Sequence, residues 1–558
     1  MPIAAPPLRD ILALLPEILI TLAACVVLLV DIGTQRQYKQ RLGWGCIGAV
    51  LFTFLVMALL PSTGGMLFAG RAAVHFSPCA NVNRGTGMNG AITTDIPARL
   101  DRLPWSAWHW RVVIALGITW LLDGLEVTVV GSLAPTLQRP DTLGLSASEI
   151  GWAASAYIGG AVLGAIFFGR LVDHFGRKRM FLVTLVVYLI ATMLTAFTWD
   201  IASFAFCRFL TGFGIGGEYA AINSAIDELI PARVRGRVAL AINGTFWVGA
   251  AMGAGLSIVL LDPALIGPQW GWRIAFLLGG VLAFAILLVR RHLPESPRWL
   301  LMHGRTAEAE DIARRIEHEV GVTEPIDSRL AIRPLRSVPW GDVIRVLAVR
   351  HRRRAVLGLT LMASQAFFYN AIFFTYALVL ARFYGVADER VGYYIFPFAL
   401  GNFLGPLLLG HLFDTVGRRV MIAFTYGVAG LGLLAAGYAF QQEWLSATTQ
   451  ALAWSAIFFV ASAAASSAYL TVSEVFPLEM RAIAISLFYA IGTALGGFVG
   501  PPLYGAMIES GSRPALFAAY AFAAVLMCVA ALVTLFLGVD AERRPLEQVC
   551  TPLGCDPP

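Results

Sequence analysis

Apolar stretches of about 20 residues, separated by short polar segments, run through most of the chain. A helix of this length spans the ~30 Å hydrocarbon core of a bilayer. Lipid offers the backbone no hydrogen-bond partners, so these stretches must be helices that satisfy their own backbone groups. Only 14% of the 558 residues are charged, against about a quarter in soluble proteins. The sequence therefore predicts an all-α polytopic membrane protein.

Twelve of these stretches form a regular series in the second part of the chain. They lie near 111–137, 149–171, 180–198, 201–226, 237–261, 272–291, 355–383, 390–412, 419–440, 445–471, 481–508 and 513–538. The predicted parts are an N-terminal six-helix bundle at 109–291, a polar cytoplasmic connector at 292–354, a C-terminal six-helix bundle at 355–538 and a cytoplasmic tail at 539–558.

Basic residues are concentrated in alternate connections between the spans. Arg and Lys are frequent at 172–179, 227–237, 292–354 and 413–419, and rare in the other connections. Basic loops stay in the cytoplasm, so both ends of the twelve-helix unit are expected there, with the protein in a cell (inner) membrane. These loops account for the formal charge of +6, and no nucleic-acid partner is needed to explain it.

The first 108 residues do not fit this scheme. Residues 1–60 contain two extra apolar segments, at 8–30 and 43–60, and the basic loop between them also favours the cytoplasm. Two full crossings cannot satisfy both this loop and a twelve-helix unit that begins inside. Residues 61–108 lose hydrophobic periodicity and gather Gly, Pro, Asn and Thr, which predicts a disordered linker.

Residues 8–60 resemble the N-terminus of the antiporter-like membrane subunits of proton-pumping NADH:quinone oxidoreductase. The similarity lies in Leu15-Pro16-Glu17-Ile18 and in the apolar run that ends at Asp31. Met88 is a candidate start just upstream of the twelve-helix unit. We therefore interpret residues 1–87 as a gene-fusion remnant or an over-extended reading frame.

A charged segment that contains glycine occurs twice between apolar spans. The copies are Gly169-Arg170-Leu171-Val172-Asp173-His174-Phe175-Gly176-Arg177 and Gly410-His411-Leu412-Phe413-Asp414-Thr415-Val416-Gly417-Arg418. A second pattern, with Pro three and Arg seven residues after a Glu, begins at Glu228 and again at Glu474. The identical spacings indicate two related halves.

These repeats resemble the signature loops of the major facilitator superfamily, and Pro294-Glu295-Ser296-Pro297-Arg298 is similar to its sugar-porter branch. The resemblance covers 105–540. It implies two six-helix bundles around a central cavity, related by an axis along the membrane normal. It also implies a cytoplasmic latch that holds the halves together when the site faces outward. The residues of this latch are Asp173, Arg177, Glu228, Arg235, Asp414, Arg418, Glu474 and Arg481.

Ionisable residues within the spans are candidates for ion coupling, because charge in a bilayer is costly. The first span contains Asp123 and Glu126, and the fourth contains Arg208. Gly124-Leu125-Glu126 resembles the Gly-Tyr-Asp of sugar porters, which implies that Glu126 carries the proton and Arg208 is its partner. Asp123 is a second candidate, since Asp-Gly-x-acid also resembles aromatic-acid:proton symporters. A static structural pair is the alternative.

The seventh span supplies the main substrate-binding candidates. Gln365 and Asn370 match the amides of sugar porters at this position. The other candidates are Asn243, Trp247, Tyr469 and Phe374. Fewer amides and more aromatic rings favour a flatter, less hydroxylated solute, while the alternative is that these rings serve only in packing. We interpret the small-residue runs at 212–217, 249–253 and 401–405 as sites of close helix packing.

The predicted function is proton-coupled uptake of a small organic solute, a sugar or an organic or aromatic acid, by alternating access. A drug or metabolite exporter or an uncoupled facilitator is the alternative, followed by a transporter-like sensor. An enzyme is not expected, because the sequence has no nucleophile–base pair, metal cluster or nucleotide loop. No metal or cofactor is predicted apart from the coupling proton. The predicted partners are the solute and the bilayer, and a monomer is expected.

Overall fold

The computed structural model describes residues 92–558 except for 262–265, 291–293, 323, 325–329, 333–339, 374, 387 and 551–558. All described residues belong to one compact unit. The extra apolar segments predicted within 1–60, the candidate start at Met88 and residues 61–91 of the predicted linker lie outside the described residues.

The described part of the chain is almost entirely helical, as predicted. The long helices of the first half are α2 (Ala107–Leu137), α3 (Ala147–Phe175), α4 (Arg177–Thr195), α5 (Ile201–Leu229), α6 (Arg235–Leu261) and α7 (Pro268–Arg290). Those of the second half are α11 (Arg352–Phe373), α12 (Tyr376–Tyr384), α13 (Asp388–Thr415), α14 (Arg418–Gln441), α15 (Ala447–Glu474), α16 (Arg481–Glu509) and α17 (Arg513–Leu537). Nine described helices are long and apolar enough to cross a membrane.

Shorter elements surround one end of this bundle. They are β1 (Ile92–Thr94), α1 (Ile96–Arg102), α8 (Pro297–Met302), α9 (Thr306–Val320), β2 (Leu330–Ile332), α10 (Trp340–Arg345) and α18 (Leu546–Val549). The two strands pair antiparallel, with Thr93 opposite Ala331. The connector predicted at 292–354 therefore contains helices and one strand of its own.

Part of the predicted disordered linker is in fact ordered, so the prediction was wrong for residues 92–108. Strand β1, helix α1 and the first residues of α2 occupy this stretch. Ile96, Leu100 and Leu103 are each at most 2% exposed. The polar composition of the stretch concealed a helix whose apolar residues are buried against the rest of the bundle.

Each repeated hinge ends one long helix and begins the next at a glycine. The φ angle is +99° at Gly176 and +120° at Gly417, a region that L-residues rarely adopt. This explains why both copies place glycine immediately before the arginine. The turn brings α3 into α4, and α13 into α14, with no intervening loop.

Glycines also set the distance between neighbouring helices, which confirms the predicted packing role. A Cβ atom at Gly212 on α5 would collide with the Tyr157 carbonyl on α3. A Cβ atom at Gly405 on α13 would likewise collide with the Phe459 carbonyl on α15. The two halves meet where α3 packs against α16 and where α6 packs against α13. The first glycines of the hinges lie at these contacts, Gly169 against Ser486 and Gly410 against Arg237.

Candidate functional site

A cavity of about 200 Å³ lies between the halves, lined by residues from α2, α3, α5, α6, α11, α15 and α16. Sequence-predicted residues that line it are Asp123, Asn243, Trp247, Gln365, Asn370 and Tyr469. Phe374, the remaining substrate-binding candidate, lies outside the described residues. The structure therefore gathers the described substrate-binding candidates of both bundles, together with Asp123, at one site.

Aromatic rings form two walls of this cavity. In the first, Trp120 stacks on Tyr219 with ring centroids 4.7 Å apart, and Tyr219 meets Tyr489 at 4.6 Å. In the second, Trp247 packs edge-on against Phe373 at 5.2 Å and lies 5.9 Å from Tyr369. The cavity thus offers flat apolar surfaces with polar groups between them.

Asp123 is the acidic residue among the described residues that line the cavity. Its side chain is 97% buried, since its relative exposure is 3%. Tyr157 donates a hydrogen bond to one carboxylate oxygen at 3.1 Å, and Tyr219 donates to the other. Two neutral hydroxyl groups therefore hold this carboxylate at the edge of the cavity.

Glu126 and Arg208 form an ion pair that lies behind the cavity wall. Arg208 donates to one Glu126 carboxylate oxygen, and Thr192 donates to the other at 3.4 Å. Both charged residues are 2% exposed, and neither is among the residues that line the cavity. The Arg208 guanidinium lies 4.7 Å above the Tyr157 ring, which connects the pair to Asp123.

The side-chain amides that line the cavity differ in whether they have hydrogen-bond partners. Asn370 donates to the Ala366 carbonyl at 2.8 Å, and Gln365 lies 3.9 Å from the Met362 sulfur. The two side-chain polar atoms of Asn243 are buried and have no hydrogen-bond partner among the described residues. The Trp120 indole nitrogen is also buried and has no hydrogen-bond partner among the described residues.

Several cavity residues were not predicted from the sequence. They include Trp120, Tyr157, Tyr219, Phe246, Tyr369, Phe373, Ser462, Ser466, Tyr489 and Thr493. Most are aromatic, and aromatic residues are frequent throughout the apolar spans. One of them, Trp120, could have been found from its position in the sequence. It precedes Asp123 by one helical turn and so lies on the same face of the helix.

The eight predicted latch residues, here called the latch cluster, are all buried and lie together at one end of the bundle. In the first half, Arg177 donates to Glu228 at 2.9 Å and lies 3.2 Å from Asp173. In the second half, Arg418 bonds Glu474 through two nitrogens, each at 3.1 Å. Arg418 also donates to Asp414 at 2.8 Å. Each half thus contains one copy of the same ion-pair arrangement.

The latch cluster also joins the two halves. The Asp173 carboxylate accepts from the Ile483 backbone amide at 3.0 Å, at the start of α16. The Asp414 carboxylate accepts from the Gly236 and Arg237 amides at 3.1 and 2.8 Å, at the start of α6. Each hinge aspartate therefore caps the N-terminus of a helix in the opposite half, where the positive end of the helix dipole favours a carboxylate.

Arginines of each half also face carboxylates of the other half. Arg235 lies 3.7 Å from Glu474, and Arg481 lies 3.8 Å from Glu228. Each glutamate is therefore close to one arginine of its own half and one of the opposite half. The eight residues thus form ion pairs and helix caps across the two halves at one end of the bundle, which we call the latch end.

The segments before α2 and after α17 extend this network. Asp101 pairs with Arg298 at 3.0 Å and with Arg235 at 3.4 Å, and Arg298 also pairs with Glu547 at 3.0 Å. Burial alone raises the pKa of Glu547, but the neighbouring arginine charges and the hydrogen bonds to its carboxylate together outweigh burial and hold that pKa below its usual range. These contacts tie α1, the connector and α18 to the latch arginines.

Two similar halves of membrane-spanning helices around a polar cavity define a multi-pass membrane transporter. The chain belongs to the sugar (and other) transporter family, whose model matches residues 99–551. The predicted resemblance to the major facilitator superfamily and its sugar porters is thereby confirmed. Membership of this family also makes the protein a transporter, not an enzyme.

Curated relatives include transporters of aromatic compounds. The niacin transporter NiaP of Acinetobacter baylyi is 27% identical over 82% of this chain and 99% of its own length. The 4-hydroxybenzoate transporter PcaK of the same organism is 28% identical over 74% of this chain and 88% of its own. Both matches span most of the relative, so the likeness extends over the full transporter unit.

Solved structures show the same fold. The proton:xylose symporter XylE, a major facilitator protein solved with 6-bromo-6-deoxy-D-glucose, superposes with a TM-score of 0.65. The match covers 79% of this chain and 98% of that chain, at 19% sequence identity. The all-α, two-bundle architecture predicted from the sequence is therefore confirmed.

Proposed function

We propose that this protein carries out proton-coupled uptake of a single-ring aromatic or heteroaromatic carboxylate. The observation that carries the proposal is Asp123, a buried carboxylate that lines the cavity and whose hydrogen-bond donors are the hydroxyls of Tyr157 and Tyr219. The latch end faces the cytoplasm of the inner membrane in this proposal, because the basic connections of the chain lie there.

Asp123 is better suited than Glu126 to exchange the proton. Protonating Glu126 would leave the buried Arg208 guanidinium without its counter-charge, which is costly inside a membrane. Protonating Asp123 strands no cation, because its hydrogen-bond donors are neutral hydroxyls. In this proposal Asp123 carries the proton, and the Glu126–Arg208 pair lies one turn away and holds the Tyr157 ring in place. The sequence favoured Glu126, and that role stays a prediction.

Coupling follows from charge balance in the cavity. The described residues that line it include no lysine or arginine. An anionic solute therefore meets the Asp123 carboxylate without a compensating cation, and two like charges at one buried site raise the free energy of the complex. Neutralising Asp123 with a proton removes this repulsion. Binding of the anion and binding of the proton are then linked, which is the requirement for symport.

The aromatic walls and the relatives support the choice of solute. Trp120, Tyr219, Trp247 and Phe373 present ring faces and edges that suit a flat ring. The relatives NiaP and PcaK are named as transporters of niacin and of 4-hydroxybenzoate, each a single ring with a carboxyl group. A sugar is the second candidate, favoured by the Gln365 and Asn370 amides that also line the cavity.

Uptake into proteoliposomes with an imposed inward proton gradient tests the proposal. The solutes are nicotinate, 4-hydroxybenzoate, gallate, glucose and xylose. We expect gradient-driven accumulation of at least one aromatic acid and none of the sugars. Asp123→Asn should abolish accumulation but keep exchange of solute across the membrane, because the variant mimics the permanently protonated state.

Glu126→Gln is the matched variant on the same helix. It should lower transport by disturbing Arg208, yet keep the dependence of uptake on the proton gradient. If accumulation survives in Asp123→Asn and is lost in Glu126→Gln, the proton carrier is Glu126 and not Asp123. Uptake that ignores the gradient in the unmodified protein would instead indicate an uncoupled facilitator.

A further inference from the structure

Two polar side chains that line the cavity carry groups with no hydrogen-bond partner among the described residues. They are the Trp120 indole N–H and the side-chain amide of Asn243, of which neither the oxygen nor the nitrogen is satisfied. Each residue is only 6% exposed, and both line the cavity. Buried polar groups without partners cost free energy, so a ligand that satisfies them gains the corresponding amount.

The packing of α2 against α6 brings the helices of both residues together beside the cavity. Gly249 of α6 lies against the Leu121 carbonyl of α2, and Gly253 lies against Leu125, so the two helices run parallel along this contact. Trp120 and Asn243 lie on the latch-end side of it, and both line the cavity.

Other side-chain amides in this region do have hydrogen-bond partners. Asn370 donates to the Ala366 carbonyl, Asn402 accepts from the Tyr369 hydroxyl, and Asn223 donates to the Tyr219 carbonyl, each at 2.8 Å. Each of these amides thus has a backbone or side-chain partner. Among these asparagines, Asn243 is therefore the one whose side-chain amide has no partner among the described residues.

The unsatisfied atoms define the chemistry of the group that would occupy them. The Trp120 indole can only donate, while the Asn243 amide both donates and accepts. A carboxylate can satisfy the two donors but leaves the Asn243 oxygen unpaired. A hydroxyl or a carboxamide accepts from the donors and also donates to that oxygen. The site is therefore complementary to an uncharged group that is donor and acceptor at once.

We propose that Trp120 and Asn243 form a specificity subsite that recognises a phenolic hydroxyl, or a group of equivalent hydrogen-bonding chemistry, on the transported ring. This inference rests on the proposed transport of aromatic acids and deepens it. The acidic end of the solute is recognised through the protonation of Asp123, and the substituent is read at the subsite. A ring without such a substituent leaves the subsite unsatisfied and binds more weakly.

Uptake of 4-hydroxybenzoate and of benzoate, which differ only in the hydroxyl, tests the subsite. The unmodified protein should favour 4-hydroxybenzoate by roughly 10- to 100-fold in kcat/KM, as expected when a site built for a hydroxyl meets an analogue without it. In Trp120→Phe and Asn243→Leu this preference should fall at least ~5-fold. Uptake of benzoate should fall much less than uptake of 4-hydroxybenzoate, because benzoate has no hydroxyl for the subsite to bind.

The ratio of the two uptake rates separates specificity from damage, since a misfolded variant loses both substrates in the same proportion. Trp152→Phe is the matched control, because Trp152 is 70% exposed and the preference should not change there. An unchanged preference in both cavity variants would overturn the subsite while leaving the proposed function intact. Failure of the unmodified protein to take up any aromatic acid would overturn the proposed function and the subsite with it.

Discussion

Single glycines decide how closely the helices approach. Gly212 on α5 faces the Tyr157 carbonyl of α3, and a Cβ atom there would overlap that oxygen. Gly255 on α6 has open space where its Cβ would lie. The two positions carry the same residue in the interior of a long helix, yet only one is constrained by a neighbour.

The same substitution should therefore have opposite effects at these two positions. Gly212→Ala forces α3 and α5 apart and is expected to destabilise the fold by about 1–3 kcal/mol. Gly255→Ala improves helix propensity without a clash and should be neutral or stabilising by up to ~1 kcal/mol. Thermal unfolding in detergent measures both. Equal destabilisation by the two variants would contradict the packing argument.

At the scale of the element, α1 is held by charges on the connector helix α9. Arg99 binds both carboxylate oxygens of Glu317, at 3.0 and 2.6 Å, and Arg102 binds Glu317 at 3.0 Å. Burial alone raises the pKa of Glu317, but the hydrogen bonds from Arg99 and Arg102 outweigh burial and keep that pKa below its ordinary value. Glu317 thus stays ionised and paired at neutral pH.

Removing this charge should release α1. Glu317→Gln is expected to raise amide hydrogen exchange across 92–103 by about tenfold or more, because a buried pair loses one partner. Glu319→Gln is the matched control on the same helix, since its pair with Arg111 is solvent-exposed and contributes little. Faster exchange of equal size in both variants would contradict a specific role for Glu317.

The same pair has a predictable pH dependence. A carboxylate whose pKa is lower in the folded state contributes stability above its unfolded pKa, about 4.3 for glutamate, and loses it as the pH falls through the folded pKa. The attachment of α1 should therefore be constant near neutral pH and weaken only in the acid range below that value. Hydrogen exchange of 92–103 across pH measures the loss, which Glu317→Gln should not show.

At the scale of the whole molecule, the latch cluster joins the two halves at one end of the bundle. Asp414 is central to it, because this carboxylate caps α6 of the first half and also pairs with Arg418 of its own half. The cap requires the halves to be together at the latch end. Opening that end must break the cap, while the pair within one half can persist.

Asp414→Asn should shift the molecule toward the conformation that is open at the latch end. The shift in the equilibrium is expected to be on the order of tenfold or more, since a charged cap and one partner of a buried ion pair are lost. Spin labels at His174 and Val416, one exposed position in each hinge, would report a longer distance. Asp311→Asn, which removes an exposed charge from the connector, is the control. An unchanged distance distribution in Asp414→Asn would argue against the latch.

Much of this arrangement follows from the sequence, because local patterns report local physics. Apolar length predicts the spans, since lipid leaves the backbone of such a stretch no alternative to a helix. The duplicated spacing of glycine, aspartate and arginine indicates two related halves and marks the residues that meet at the latch end. The same reasoning failed at 92–108, where burial of a short helix depends on surfaces far away in the chain.

Which carboxylate faces the cavity was decided only by the tertiary structure. Asp123 and Glu126 are three residues apart in one span, and the resemblance to sugar porters favoured Glu126. Arg208 of α5 pairs with Glu126, whereas Tyr157 of α3 and Tyr219, about three turns further along α5, bind Asp123 at the cavity edge. Likewise, nothing local distinguishes Asn243 from amides that are satisfied. The sequence determined a duplicated helical membrane transporter with its charged hinges, because those features depend on neighbours along the chain. The packing of helices from both halves determined which polar groups meet, which stay unpaired and which are open to a solute.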